Sequence, residues 1–488
     1  MDLMECPVCL DTFEDPQLLT KCGHTFCKRC VERIRPAKCP TCRRAFTTAN
    51  VSPNFALRAL LEDTRLQGMD VETRELTQQS SATSSSSVPH ESGQGDLVRT
   101  VSGDPRSLSQ HLVSMGVPFG VARLISEEDQ KTAARIFLLD NSGSTRAYDG
   151  KYLQTEDLLN RLPRFQRCSR WEEISRMAME QARWNAELRT PCEFVLLNPP
   201  AASATLQEGF DFQRVDPERG NINEQLAALE SMLKKTDPSG TTPIAERLRK
   251  IHTRISKQGM ELARNFQKVV VVIVTDGLPT TSRSARSGEQ ERRTLCEELR
   301  RMSIGLPVHM VVRLCTEDDN VVDFYNKIDE EVELEMEVVD DMRSEAEEVA
   351  KAGNRWLVYS PLVHKVREGG MFMKLFDLID ERCLEAMEVA LFCQILLRQE
   401  DEEPFPAEPH EFCDMVRQKL ESAPKVFDPI SGGMVPPLRM DQVEWAIIWR
   451  SSWRKYLAGT TSQMSTIKLV MLVMAFVVVN LAIVARQF

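Results

Sequence analysis

The sequence has no excess of positive charge. Its 61 Lys and Arg residues are outnumbered by 72 Asp and Glu residues, which gives a formal net charge of -11 over 488 residues. A protein that binds nucleic acid through a broad basic surface needs the opposite balance, because the phosphate backbone attracts cationic side chains. We therefore expect no nucleic-acid partner. The chain is also too long for one hydrophobic core, so we expect several domains.

The N-terminus lacks the features of a secretory signal peptide. The first residues, MDLMECPVCL, contain neither a basic start nor a long apolar run. We therefore expect a reducing compartment, in which disulfide bonds are rare. Seven of the 14 cysteines nevertheless lie between Cys6 and Cys42, and the rest are scattered singly. Scattered cysteines are usually small buried apolar side chains, but a cluster needs another explanation.

The cysteine-rich stretch contains eight potential zinc ligands in four close pairs. They are Cys6, Cys9, Cys22, His24, Cys27, Cys30, Cys39 and Cys42. Two thiolates on one tight turn can bind the same tetrahedral zinc, so four pairs predict two closed, structural sites. Zinc then supplies the stability that a module of about 45 residues cannot gain from its small core.

This ordered spacing resembles the RING finger family, in the form with three cysteines, one histidine and four cysteines. The resemblance covers about residues 1–62. The stretch VSPNFALRALLEDT after the zinc ligands itself predicts a helix, with Ser52 as N-cap and Pro53 in the first turn. It implies that the ligand pairs interleave. The two implied sets are Cys6, Cys9, Cys27 and Cys30 for one zinc, and Cys22, His24, Cys39 and Cys42 for the other. A different zinc module, such as a double ribbon, is the alternative.

RING fingers of this form bind a ubiquitin-conjugating enzyme that is charged with ubiquitin. The resemblance implies an apolar contact surface at Val8, Ile34 and Pro40. It also implies that Arg43 orients the thioester for attack, which is catalysis by positioning and not by covalent chemistry. The family often has Trp or Leu where this chain has Ile34. Alternatively, the apolar residues only pack the zinc loops and Arg43 is a solvated residue like Arg44.

Residues 67–105 show no helical or strand periodicity, and their central part has almost no apolar residue. The stretch QQSSATSSSSVPHESGQGD is typical of a disordered, Ser-rich linker. A random coil of this length spans roughly 35 Å, so the N-terminal module could search the surroundings of the following domain.

Apolar runs alternate with helical patterns between residues 125 and 365. The runs ARIFLLD, CEFVLLN, KVVVVIVTD and LPVHMVVRLC predict buried strands, and amphipathic stretches between them predict helices. The alternation predicts a doubly wound, mainly parallel α/β sheet, in which ligands bind at the carboxyl ends of strands. Polar residues follow two of these runs: Asp140, Ser142 and Ser144 after the first, and Asp276 after the third.

These carboxylates and hydroxyls form an oxygen ligand set that suits magnesium or manganese. Thr242, before Pro243, is the expected third hydroxyl, with Thr241 as the alternative. The pattern resembles the von Willebrand factor type A domain and its metal-ion-dependent adhesion site. The resemblance implies one divalent ion with an open position for a carboxylate of a protein substrate or adaptor. A type A fold without a working metal site, or Asp140 as a helix cap, is the alternative.

Residues 366–460 predict a helical extension, and residues 467–486 predict one C-terminal transmembrane helix. The run LVMLVMAFVVVNLAIVA contains one polar residue and is at the short end of the spanning length. Before it, Trp445, Trp449 and Trp453 recur every four residues beside basic residues, as interfacial anchors do, although such stripes also occur in cores. The arrangement resembles tail-anchored proteins. It implies a single-pass protein of the endoplasmic reticulum or another organelle membrane, with its N-terminal bulk in the cytosol.

The combined prediction is a membrane-anchored RING-type ubiquitin-protein ligase that holds two zinc ions and one magnesium or manganese ion. The expected partners are a ubiquitin-conjugating enzyme, ubiquitin, a protein substrate or adaptor bound by the type A-like domain, and the membrane. One alternative is a non-enzymatic membrane adhesion or scaffold protein whose RING finger only dimerises. Another makes the type A-like domain a structural spacer.

Overall fold

The computed structural model divides the chain into two units, Met1–His90 and Glu91–Phe488, which are described separately here. The described residues are 6, 8–9, 14–19, 25–34, 37–40, 45–47, 51–53, 97–99, 104–155, 162–199, 208, 211–303, 306–332, 336–371 and 373–450.

The described part of the N-terminal unit contains a small antiparallel sheet and one helix. These elements are β1 (Pro16–Leu19), β2 (Thr25–Cys27), α1 (Lys28–Arg33) and β3 (Val51–Pro53). Strand β1 lies between β2 and β3. The buried cluster beside this sheet consists of Cys6, Leu19, Phe26, Cys27, Cys30, Val31, Cys39 and Phe46. Half of its members are cysteines, so apolar burial alone gives this unit little stability.

The predicted helix does not begin at Ser52 and Pro53. Val51–Pro53 is extended and pairs with β1, with Ser52 opposite Leu18. A proline disfavours the helical conformation in the residue before it, and β3 is an edge strand, where a proline is tolerated. The predicted helix start is therefore wrong. Residues 54–64, which carry the rest of that prediction, are not among the described residues.

A six-stranded sheet forms the centre of the second unit. The strands of this unit are β4 (Thr132–Leu139), β5 (Gly150–Gln154), β6 (Arg164–Cys168), β7 (Cys192–Leu196), β8 (Phe212–Val215), β9 (Lys268–Thr275), β10 (Val308–Leu314), β11 (Met336–Val339), β12 (Val426–Asp428) and β13 (Gly433–Val435). The order in the sheet is β11-β10-β9-β4-β7-β8, with hairpins β5-β6 and β12-β13 outside it. Its pairs are parallel except β7 with β8. The predicted mainly parallel α/β sheet is confirmed.

Helices cover both faces of this sheet. They are α2 (Pro105–Ser114), α3 (Phe119–Asp129), α4 (Arg170–Glu187), α5 (Ile222–Lys235), α6 (Ile244–Arg264), α7 (Glu289–Ser303), α8 (Asp319–Val332), α9 (Met342–Lys351), α10 (Pro361–Glu368), α11 (Lys374–Glu381), α12 (Ala386–Leu397), α13 (Pro409–Ser422) and α14 (Met440–Glu444), followed by a π-helical turn at Trp445–Trp449. Helices α6, α7 and α8 pack on one face, and α4 and α5 pack on the other. Strand β9 shows why the run is apolar throughout: Val271 and Ile273 face the first layer, and Val270 and Val272 face the second.

The described part of the second unit begins before the predicted end of the linker. Leu97 is buried in the core beside α6, and its N–H donates to the side-chain oxygen of Gln258 at 2.7 Å. The Arg99 guanidinium forms an ion pair with Asp129 at 2.9 Å. The linker prediction for residues 67–105 is therefore wrong at its C-terminal end. The sequence pattern did not indicate these contacts, because the partner residues come from segments that are distant in sequence. Residues 67–96 are outside the described part of the chain.

The predicted helical extension shares a core with the two helices that precede the sheet. Buried Val121 of α3 packs in one cluster with Phe392 of α12. These two helices approach closely, since a Cβ on Gly120 would lie 2.5 Å from the carbonyl oxygen of Ile395. The predicted domain boundaries at residues 125 and 366 therefore cut through one core. The hairpin β12-β13 also interrupts the helices of the predicted extension.

One buried arginine joins four elements at the edge of the sheet. The guanidinium of Arg367 in α10 forms three ion pairs. Its Nε lies 2.6 Å from Oε1 of Glu337 in β11, and its Nη1 and Nη2 lie 2.5 Å from Oε2 of Glu345 in α9 and Oδ2 of Asp380 in α11. The Arg367 side chain is only 2% exposed. The five donors of its planar guanidinium can reach carboxylates on three different elements, which suits this position better than the compact ammonium of a lysine. The guanidinium therefore compensates a group of carboxylates that would otherwise repel one another.

We expect Arg367→Ala to lower the free energy of unfolding by about 3–5 kcal/mol, because it leaves buried carboxylates without their cation. Arg343→Ala is a matched control that removes an exposed pair with Glu347 and should have little effect. Urea denaturation followed by tryptophan fluorescence would measure both changes. Equal stability of the two variants would contradict the structural role assigned to Arg367.

Candidate functional site

Four of the predicted zinc ligands lie together in the N-terminal unit. The Sγ atoms of Cys6, Cys9, Cys27 and Cys30 all lie within 4.8 Å of one another. Cys27 ends β2 and Cys30 lies in α1, so the start of the helix faces the two cysteines that precede β1. Four thiols within such a distance are a donor set that zinc prefers, and the residues present fit a zinc ion.

Backbone donors point at two of these sulfur atoms. The Cys27 N–H donates to Cys6 Sγ at 3.4 Å, and the Glu14 N–H donates to Cys27 Sγ at 3.2 Å. Such bonds stabilise a thiolate, which is the form that binds metal. Burial, together with the neighbouring thiols, raises the pKa of Cys27 to about 11 and that of Cys30 to about 12. Cys27 and Cys30 therefore need the positive charge of a bound cation to ionise at neutral pH.

Of the four ligands predicted for the second zinc, Cys39 is the one among the described residues. Cys39 is buried in the small core of the N-terminal unit. Cys22, His24 and Cys42 are not among the described residues, and neither is Arg43. The second zinc and the role of Arg43 therefore stay predictions.

The three residues predicted to contact a conjugating enzyme differ in exposure. Val8, between two zinc ligands, is 42% exposed although it is apolar. Pro40, next to buried Cys39, is also exposed, whereas Ile34 is half-buried against the core. A residue that only packed the zinc loops would be buried. The exposure of Val8 and Pro40 therefore suits a docking surface, and Ile34 serves partly as support.

Comparison with known proteins agrees with this geometry. Residues 6–49 match the model of the RING-type zinc-finger family. The N-terminal unit carries a RING-type zinc finger. The cysteine quartet described above lies within the matched residues, so the structure and the family comparison point to the same zinc site.

Similar proteins share this N-terminal region. The human E3 ubiquitin-protein ligase TRIM4 is 42% identical over 67 residues, which are 13% of this chain and 13% of that protein. The E3 ubiquitin-protein ligase TRIM11 of Bos taurus is 42% identical over 65 residues, or 12% of this chain and 14% of its own length. Tripartite motif-containing 13 of Danio rerio is 39% identical over 79 residues, or 13% and 19%. The chain thus spans less than a fifth of each of these relatives.

A second candidate site lies at the carboxyl ends of β4 and β9, which are adjacent parallel strands. Asp140 follows β4 and Asp276 follows β9. The Ser144 hydroxyl donates to Asp276 at 2.8 Å and lies 2.9 Å from the Ser142 hydroxyl. The Ser142 N–H donates to Asp140 at 2.9 Å. The structure therefore brings these four predicted metal-binding residues together.

Thr242 lies at the same edge of the sheet. It is buried, and a Cβ on Gly277 would lie 3.6 Å from its hydroxyl oxygen. Gly277 directly follows Asp276, so this hydroxyl lies beside the oxygen cluster. The carbonyl of the alternative residue, Thr241, accepts a hydrogen bond from the Asn198 side chain at 2.7 Å. The position of the Thr242 hydroxyl beside the oxygen cluster favours Thr242 over Thr241 as the further hydroxyl ligand.

The electrostatics of this oxygen-rich site also favour a cation. Burial and the nearby charge of Asp276 raise the pKa of Asp140 to about 6. A cation between two buried carboxylates would relieve their repulsion. The donor set contains only carboxylate and hydroxyl oxygens, so the residues present fit a hard ion such as magnesium or manganese better than zinc.

One charged residue at this site, Arg170, was not indicated by the sequence pattern. Arg170, the first residue of α4, donates to Asp276 at 3.0 Å and to both carboxylate oxygens of Asp149 at 2.7 Å each. The helix begins here because the Ser169 side chain accepts the Glu172 N–H. Arg170 and Asp276 are far apart in sequence, and no local pattern links them.

A third acidic group lies next to Arg367. The carboxylates of Glu345, Glu348 and Asp380 lie close enough together to share a metal ion. The Arg367 guanidinium already bonds Glu345 and Asp380, however, and supplies the charge that a metal would supply. The structure therefore gives this group a structural explanation.

We expect purified protein to contain zinc, and Cys27→Ser to lower the zinc content by about one ion per chain, because zinc loses one of four ligands. Cys168→Ser is the matched control, since Cys168 is a buried cysteine of β6 outside the finger. Elemental analysis of both variants would measure the change. Equal zinc content in Cys27→Ser and the unmodified protein would exclude the quartet as a zinc site.

Proposed function

We propose that this protein is a RING-type ubiquitin-protein ligase, a transferase that recruits a ubiquitin-conjugating enzyme charged with ubiquitin. The observation that carries the proposal is the cysteine quartet, within residues that match the RING-type zinc-finger family. The same region is similar to parts of proteins named as E3 ubiquitin-protein ligases. Zinc held by four protein ligands has no position for water, so its proposed role is structural.

The finger would act by binding and orienting the charged conjugating enzyme. Val8 and Pro40 are exposed on loops next to zinc ligands, where they offer apolar surface that a partner can bury. We propose that Arg43 hydrogen-bonds ubiquitin and its carrier together. Binding then holds the thioester in one orientation, which lowers the entropic part of the activation barrier. A substrate amine attacks the oriented thioester.

We expect Val8→Ala to weaken conjugating-enzyme binding about threefold to tenfold, because it removes apolar contact area from the docking surface. Val113→Ala is the matched control, since Val113 has a similar exposure of 40% and lies in the second unit. Single-turnover discharge of ubiquitin from the conjugating enzyme, measured at several protein concentrations, would separate binding from rate.

Arg43→Ala tests the orienting role in the same assay. It should slow discharge at saturating protein while zinc content and conjugating-enzyme binding stay unchanged. If Val8→Ala and Arg43→Ala both discharge ubiquitin at the unmodified rate, the proposed ligase mechanism is wrong.

The oxygen-rich site is our proposal for capture of a protein substrate or adaptor. The convergence of Asp140, Ser144 and Asp276 supports a von Willebrand factor type A-like domain with a bound magnesium or manganese ion. With few protein ligands, such an ion keeps a position that a partner's Asp or Glu can occupy. In this proposal the finger recruits the conjugating enzyme and the second unit selects the protein to be modified.

We further propose that the protein acts at an organelle membrane, such as that of the endoplasmic reticulum, with the finger in the cytosol. The predicted span, residues 467–486, lies beyond the described part of the chain. Within the described part, no helix is long and apolar enough to cross a membrane. Support comes from Trp445 and Trp449, which are 46% and 55% exposed close to Arg450. Exposed tryptophans next to basic residues suit an interface with lipid better than a core.

Deleting residues 467–488 should move the protein from the membrane fraction to the soluble fraction, because the deletion removes the apolar run. The unmodified chain should resist extraction by alkaline carbonate, and protease added to intact organelles should digest its finger. Extraction by carbonate would contradict a spanning helix. A protected finger would contradict the proposed orientation.

A further inference from the structure

Arg170 supplies positive charge to the oxygen-rich site from within the chain. Its Nη1 lies 3.0 Å from Asp276 Oδ2, and the two side chains are 16% and 0% exposed. Its other two nitrogens, Nε and Nη2, bond both oxygens of Asp149 at 2.7 Å. A bidentate pair of this kind fixes the plane of the guanidinium. Arg170 is therefore held against Asp276 by a second carboxylate.

The hydrogen bonds of the site engage all four oxygens of the two aspartates. Asp276 accepts from the Ser144 hydroxyl with Oδ1 and from Arg170 with Oδ2. Asp140 accepts from the Ser142 N–H with Oδ1 and from the Thr275 hydroxyl with Oδ2 at 2.6 Å. An ion that binds this cluster has to displace or share these donors. Hydroxyl donors can rotate away, but a guanidinium cannot lose its charge at neutral pH.

We propose that Arg170 competes with the divalent ion for Asp276 and so sets the affinity of the site for magnesium or manganese. The inference rests on the proposed metal-binding function of this site. Two cations that share one carboxylate repel each other, and the repulsion is large where water is excluded. Asp149 keeps the guanidinium from swinging into solvent, which maintains the competition. The ligand residues define which ion fits, and Arg170 defines how tightly it is held.

The opposite role is also chemically reasonable for an arginine in this place. An arginine that only positioned the Asp276 carboxylate would strengthen ion binding, and its removal would weaken binding. The two roles therefore predict changes of opposite sign in ion affinity when the charge of Arg170 is removed.

The test is calorimetric titration of the full chain in detergent with magnesium chloride, and separately with manganese chloride. Arg170→Gln removes the charge but keeps an amide that can hydrogen-bond Asp276. We expect it to raise magnesium affinity about tenfold or more. Arg170→Lys keeps the charge but loses the paired hydrogen bonds to Asp149 that hold it in place, so its magnesium affinity should lie between those of the unmodified protein and Arg170→Gln. Arg170→Met serves as a second neutral variant, and thermal melts of all variants verify folding.

The outcomes distinguish this inference from the proposed metal site. If the folded neutral variants bind the ions with unchanged or lower affinity, the proposed competition is wrong. If Asp140→Ala then abolishes ion binding, the proposed metal site is still supported. If neither the unmodified protein nor Arg170→Gln binds either ion, the metal site fails and the inference fails with it. Tighter binding by both neutral variants than by Arg170→Lys and the unmodified protein supports the competition.

Discussion

The parallel pairing of β4 with β9 is the interaction on which the second unit depends. Leu139 pairs with Val274, and the Asp140 N–H donates to the Val274 carbonyl at 2.9 Å. Both strands are buried on both faces, so helices must cover the sheet on each side. Because the strands run in the same direction, the residues that follow them meet at one edge. A slip of one residue would turn every core side chain to the wrong face and would also separate Asp140 from Asp276.

Buried arginines connect the helices to this sheet. Arg135 of β4 donates to the Gly369 carbonyl at 3.2 Å, and Arg313 of β10 lies 3.0 Å from Glu173 of α4. Like Arg367, these side chains are almost fully buried. A buried arginine is tolerated only where acceptors surround it, so each one restricts which helix can lie against its strand. Burial of the apolar layers drives the helices onto the sheet, and these polar contacts restrict how each helix lies against its strand.

The features that depend on local spacing could be predicted from the sequence. The apolar runs predicted the central strands, and the resemblance of the cysteine spacing to the RING finger family implied the quartet that includes Cys6 and Cys27. Asp140 and Asp276 could be placed together because both follow strands of one parallel sheet. Other features depend on contacts between distant segments. Leu97 lies in a polar context but is buried by α6, and Arg170 reaches Asp276 only in the folded chain. No periodicity encodes such contacts, and the strand at Val51–Pro53 likewise depends on its partner β1.

The two sites differ in how they respond to oxidants. An oxidant that converts the Cys27 sulfur to a sulfenic acid removes a zinc ligand, so the ion is released and the small finger loses the stability that zinc gives it. Asp140, Ser144 and Asp276 offer only oxygen atoms, which the same oxidant leaves unchanged. Soft metals such as cadmium would likewise bind the sulfurs in preference to the oxygen-rich site. Such an oxidant would therefore act on the ligand atoms of the zinc site and not on those of the oxygen-rich site.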